Sequence, residues 1–204
     1  MTLRPLAAGL TLAALVLSGC RVTSDKNGKN EHVEINSPFG NMNIKTNDGT
    51  DTSALGIAIY PGATPWKDPG KDDKDNKDSA DINMNFGDFH LGVKAASYRS
   101  SDSQDKILDF YKKELARYGD VLTCKGNVTI GQPTRTAQGL TCADDDKKSV
   151  HTDATSHNNL ELRAGSPSHQ HIVGLEQKDG DVRIGLVALD LPTHFGNHSD
   201  NPSE

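Results

Sequence analysis

One stretch of this sequence carries a helical apolar stripe, and most of the other patterned segments alternate with period two. The stripe lies in SDSQDKILDFYKKELARYG (101–119). Ile107, Tyr111, Leu115 and Tyr118 recur at spacings of four, four and three, with Leu108 beside them, which makes one apolar face of a helix. Asp102 or Ser103 is placed to cap its first amides, Asp105 sits in the first turn, and Gly119 is a suitable terminator. NLELRAG (159–165), HQHIVGLEQ (169–177) and DVRIGLVALDL (181–191) alternate as strands do, and Lys178-Asp179-Gly180 reads as a hairpin turn between the last two. ALGIAIYPGATPW (54–66) reads as a strand through Leu55, Ile57 and Ile59, ended by a Pro61-Gly62 turn. DVLTCKGNVTI (120–130) and GLTCA (139–143) read as two more strands. The expected fold class is α+β: an antiparallel sheet with one main helix packed on a face, preceded by short Phe-Gly strand units.

Those units are an internal repeat. HVEINSPFGNMNIK (32–45) aligns with ADINMNFGDFHLGVK (80–94), pairing Ile35 with Ile82, Phe39 with Phe86, Gly40 with Gly87 and Ile44 with Leu91. Alternation interrupted by Gly predicts strands with a bend or bulge, and two copies are too few for a solenoid.

The chain starts MTLRPLAAGLTLAALVLSGC. Arg4 supplies a positive charge, and the apolar run Leu6–Leu17 is too short for a hydrocarbon core, which needs roughly 20 residues. This is the pattern of a secretory signal peptide. Leu17-Ser18-Gly19-Cys20 resembles the lipobox of bacterial lipoproteins. The resemblance implies cleavage before Cys20, a diacylglycerol on its thiol and acylation of the new amino group. Residue 21 is Arg, not the Asp that marks inner-membrane retention in Gram-negative lipoproteins. The expected location is the cell envelope, at the outer membrane facing the periplasm if the host is Gram-negative.

The expected organisation follows. Residues 1–19 are a signal peptide. Residues 20–31, polar and rich in Asn, Lys and Gly, are the lipidated N-terminus and a flexible tether. Residues 32–192 form a single α+β domain with a charged, mobile loop at 67–80, and 193–204 are a polar tail. Cleavage leaves 185 of the 204 residues and, losing only Arg4, moves the formal net charge from −6 to −7. An acidic chain without a basic patch argues against nucleic acid as a partner. With Cys20 taken by lipid, Cys124 and Cys142 remain as an even pair in an oxidising compartment, and a disulfide between them is expected.

Tyr60-Pro61-Gly62-Ala63, then Asp102-Ser103, Lys106, Phe110-Tyr111-Lys112, Leu115 and Gly119, carry a second resemblance. The chain is similar over roughly residues 55–191 to a family of uncharacterised exported bacterial proteins, many of them lipoproteins. Those proteins have a Y-P-G-A turn and a helix of the form D-S-x-x-K-h-x-x-F-Y-K-x-x-L, where h is apolar. The resemblance implies a helix on an antiparallel sheet and brings no catalytic residue.

Motifs for chemistry are sparse. There is no G-x-S-x-G, no G-x-x-x-x-G-K-[ST] and no G-x-G-x-x-G. The acidic run at 67–80 lacks the Gly and the ligand spacing of an EF-hand. Of eight histidines, His169 and His171 share one strand face, and His194 and His198 lie in the tail. Together they form the metal alternative, an exported metal-binding protein or metal-dependent hydrolase, although no H-E-x-x-H is present. The reading favoured is a lipoprotein of the cell envelope acting as a non-catalytic binding or structural module, with no cofactor and no catalytic residue. Its expected partners are the membrane, through the N-terminal lipid, and another envelope protein or cell-wall component, met on a sheet face.

Overall fold

The structure is a computed structural model, and it describes residues 19–27, 30–47, 55–67, 77–142 and 159–192. The described residues form eleven strands and one α-helix of twelve residues. The strands are β1 (Arg21–Asn27), β2 (Asn30–Ser37), β3 (Gly40–Asn47), β4 (Thr64–Pro65), β5 (Ser79–Phe86), β6 (Phe89–Ser100), β7 (Leu122–Lys125), β8 (Val128–Thr129), β9 (Leu160–Ser166), β10 (His169–Lys178) and β11 (Asp181–Asp190). The helix, α1, spans Gln104–Leu115 and tightens into a 3-10 turn at Ala116–Tyr118. All eleven strands belong to one sheet in the order β1-β2-β3-β5-β6-β11-β10-β9-β7-β8, with β4 paired to β6, and every pairing is antiparallel.

This overturns the α+β expectation. Strand accounts for 57% of the described chain, so the architecture is mostly antiparallel β, closer to sandwich and barrel folds than to a sheet with a main helix. Two segments make the difference. The residues read as a flexible tether form β1, whose backbone pairs from Arg21↔Asn36 to Asn27↔Asn30. Composition predicts solvation there, but a neighbouring strand edge supplies backbone partners that polar side chains do not oppose. The Phe-Gly repeat forms two complete hairpins, β2–β3 and β5–β6, instead of bent single strands. They stack edge to edge through β3 and β5, with Ile44 opposite Ile82 and Met42 opposite Met84.

The core lies at the other end of the sheet. On β6, β11, β10 and β9 the residues of one face are buried: Ala96 and Tyr98, Val182, Ile184 and Leu186, Val173 and Leu175, Leu162 and Ala164. α1 covers this face, packing on β10 and β9. Its buried residues are Ile107, Tyr111 and Leu115, the positions the stripe predicts. Ser103 is the N-cap residue but its side chain makes no capping bond. Asp102 instead accepts a 2.8 Å hydrogen bond from the Tyr60 hydroxyl, which holds the carboxyl below the usual aspartate range.

Residues 55–60 are not a strand. Gly56 adopts φ +65° and breaks the extended run, while Leu55 and Ile57 still enter the core. The Y-P-G-A turn closes as expected: Ala63 N–H donates to the Tyr60 carbonyl at 3.0 Å, and Gly62 supplies φ +80°. The Lys178–Gly180 turn also forms, with Asp179 at φ 54° and Gly180 at φ 89°.

Cys124 and Cys142 are bonded, with Cα atoms 5.6 Å apart. They sit with Leu122 and Leu140 in a second small core. Closing a loop of 18 residues contributes about 3 kcal/mol in the chain-entropy account. It pins 139–142, which contributes only the isolated Arg135↔Thr141 bridge and no strand. Residues 1–18 of the expected signal peptide, 68–76 of the loop expected at 67–80, residues 143–158 and the expected tail from 193 lie outside the described residues.

Candidate functional site

Two surfaces on the helix-side face of the sheet carry concentrated polar chemistry. The first is a pocket of about 200 Å³ where the face runs out from under the 3-10 turn, lined among others by Gly56, Lys94, His171 and Asp190. Strand alternation puts Lys94 and Asp190 on the face that buries Ala96 and Leu186 further along. The register places His171 opposite Ala188, and Lys94 opposite the same residue on the other side.

The His171 ring stacks on Tyr118 with centroids 3.5 Å apart and planes 9° from parallel. Tyr118 is anchored from below, since its hydroxyl and the Arg117 guanidinium both donate to the Gly56 carbonyl. Arg117 is held in turn by Glu114 at 2.7 Å, and Glu114 accepts the Ala58 N–H at 3.0 Å. Gly56 is required here. A Cβ at that position would stand 2.7 Å from the Tyr118 oxygen, and its φ is left-handed.

Burial is the largest cause that lowers the His171 pKa, with Arg117 next and His169 adding to it, while Asp190 opposes. Nδ1 of His171 is buried and has no hydrogen-bond partner among the described residues. The neutral ring is therefore the favoured form. A group whose folded pKa is depressed stabilises the fold above its unfolded value, here 6.5, and that contribution is lost as pH falls toward the folded pKa. The melting temperature of the wild-type chain should therefore fall between pH 7.5 and 5.5 more steeply than that of His171→Phe, which keeps a ring over Tyr118. Equal slopes in thermal melts at the two pH values would show that His171 binds its proton equally well in the folded and the unfolded chain.

His169 and His171 do share this face, as alternation predicts, but they take different partners. His169 lies 3.7 Å from Asp190 through Nε2, and its Nδ1 is 3.0 Å from the Ser168 hydroxyl. Among the described residues no three His, Cys, Asp or Glu side chains are grouped to hold a metal ion. His194 and His198, the other two members of the metal alternative, lie outside the described residues.

The second surface is a ladder of amides that the sequence reading missed. On β2, β3 and β5 the registers put Asn36, Asn41 and Asn85 in one row, and Glu34, Asn43 and Asn83 in the next. Asn85 Nδ2 donates to Asn41 Oδ1 at 3.0 Å, Asn36 Nδ2 to Glu34 Oε1 at 2.8 Å, and Asn83 Nδ2 to Asp81 Oδ1 at 2.6 Å. A shallow depression of about 260 Å³ opens over Glu34, Asn43, Lys45 and Asn83. The signal was visible as asparagines at alternate positions in both repeat copies, N-M-N at 41–43 and at 83–85. Its meaning emerges only once β3 and β5 are known to be neighbours.

Cys20, the lipidation candidate, is exposed, is not disulfide-bonded, and immediately precedes β1. No protein-family model, curated protein or solved structure matches this chain.

Proposed function

We propose that this chain is an envelope lipoprotein, anchored through Cys20, whose sheet is a non-catalytic binding or structural module. The observation that carries the reading is the single-layer part of the sheet. Among the described elements, β1, β2, β3 and β5 make their main contacts with their ladder neighbours, and both faces of β2 and β5 stay half-exposed along nearly their whole length. A chain that maintains several paired strands outside its own core presents them to something else. The amide ladder suits a polar partner, since side-chain amides offer both donors and acceptors to an envelope protein or a cell-wall polymer. Separating Cys20 from an ordinary export signal is a matter of mass. The N-terminal peptide of the purified chain should begin at residue 20 and carry acyl groups. A photocrosslinker placed at Asn43 in native envelopes should trap one dominant partner, whereas a crosslinker at Gln177, on the opposite end of the sheet, should not. Equal yields from both positions would remove the ladder as the contact surface.

A further inference from the structure

The face opposite the amide ladder is apolar at one end and charged at the other, and the apolar end is where Cys20 sits. Val22, Ile35, Met42, Met84 and Leu91 form one row across five strands, and Val33, Ile44, Ile82, Val93 and Leu189 form the next. Among the described elements no helix or second sheet packs across these rows. Toward the far end the same face carries the Glu161–Arg163 and Arg183–Glu176 ion pairs, and Arg183 stacks over Trp66 at 3.8 Å.

Both repeat hairpins turn at the apolar end, because Gly40 lies opposite Phe86 and Arg21 opposite Asn36. Cys20, one residue before the Arg21↔Asn36 pair, therefore lies beside the first tip. Among the described residues, three of the six large apolar side chains that are exposed gather at this corner: Phe39 at 84%, Val22 at 65% and Phe86 at 39%. Phe39 and Phe86 are the aligned aromatics of the two repeat copies. Exposed aromatics beside a lipid attachment point are what an interfacial contact requires, and one lipid signal is strengthened by a second.

We infer that the two Phe-Gly hairpin tips and the start of β1 form a second membrane contact, inserted into the phospholipid surface beside Cys20. This inference rests on the lipoprotein reading. It sets the orientation of the module: the Phe corner faces lipid, and the charged far end stands in water.

The test uses the mature, Cys20-acylated chain reconstituted into phosphatidylcholine vesicles whose acyl chains are brominated. Trp66, at the far end, is the native reference. In Phe39→Trp and Phe86→Trp chains that also carry Trp66→Phe, fluorescence should be quenched several-fold more strongly than that of Trp66 in the wild type. Two tips are probed so that a folding defect in one variant does not decide the matter. Acylated chains whose tip tryptophans are quenched no more than Trp66 would overturn the contact and leave the anchor standing. Tips shielded only at high protein concentration, without bromine quenching, would assign the corner to a second copy and overturn it equally. A Cys20 peptide without acyl mass would remove both readings together.

Discussion

Cys20→Ser should abolish the processed form of this protein. The proposed acyl transfer needs a thiolate nucleophile, and a serine hydroxyl does not substitute for it. Cleavage before residue 20 follows that modification, so neither the acylated mass nor an N-terminus at residue 20 should be recovered. A companion chain beginning at Arg21, exported behind an unrelated cleavable signal, should leave the membrane fraction for the soluble one. The size of the change follows from chain number. Each buried methylene contributes about 0.8 kcal/mol, so two or three acyl chains hold essentially without exchange where protein contacts alone exchange freely. Fractionation with mass analysis of the N-terminal peptide checks both arms. A Cys20→Ser chain that still yields a mature N-terminus at residue 20 would mean that an ordinary signal peptidase acts here.

The second large effect is expected at Tyr111, whose side chain is fully buried at the centre of the helix–sheet contact. Its ring meets Phe110 edge-on at 5.0 Å and Tyr60 at 6.5 Å, and its hydroxyl accepts the Tyr60 backbone N–H at 3.1 Å. Burial pushes the phenol pKa well above its ordinary value, so the hydroxyl stays neutral. Tyr111→Ala removes the ring and leaves a cavity, a loss of about 3–5 kcal/mol for an aromatic in a packed core. That is a large share of the 5–15 kcal/mol typical of a whole domain. Tyr111→Phe keeps the ring but leaves the Tyr60 N–H without its acceptor, at a cost of about 1–3 kcal/mol. Urea unfolding of both variants measures the two parts separately. Similar losses for Phe and Ala would place the energy in the hydrogen bond and not in the packing.

These two positions also show how far the residues alone were readable. The stripe of α1, the Y-P-G-A turn, the disulfide and strands β9, β10 and β11 are local features. Spacing, turn chemistry and cysteine parity specify each without reference to distant chain. The balance of the fold was not local. Arg21–Asn27 looks like a linker because its side chains are polar, yet strand formation there depends on backbone pairing with β2. Ala54–Ile59 alternates like a strand, but Gly56 serves a different need, making room for the Tyr118 hydroxyl 62 residues away. The fold-class error has the same origin. A single well-patterned helix outweighed several weakly patterned strands, each of which became regular only beside its neighbour. At the candidate sites, alternation correctly put His169 and His171 on one face. It could not show that Tyr118 caps one ring and Asp190 approaches the other.

β1 begins pairing one residue after the proposed anchor, and this limits where the module can act. A loose leader would let the domain sweep a wide shell above the bilayer. A strand hydrogen-bonded from Arg21 onward leaves almost no slack. The longest strand, β6, has twelve residues and rises about 40 Å end to end at roughly 3.3 Å per residue. On the proposed reading, whatever this protein meets must come down to within about that height of the lipid headgroups.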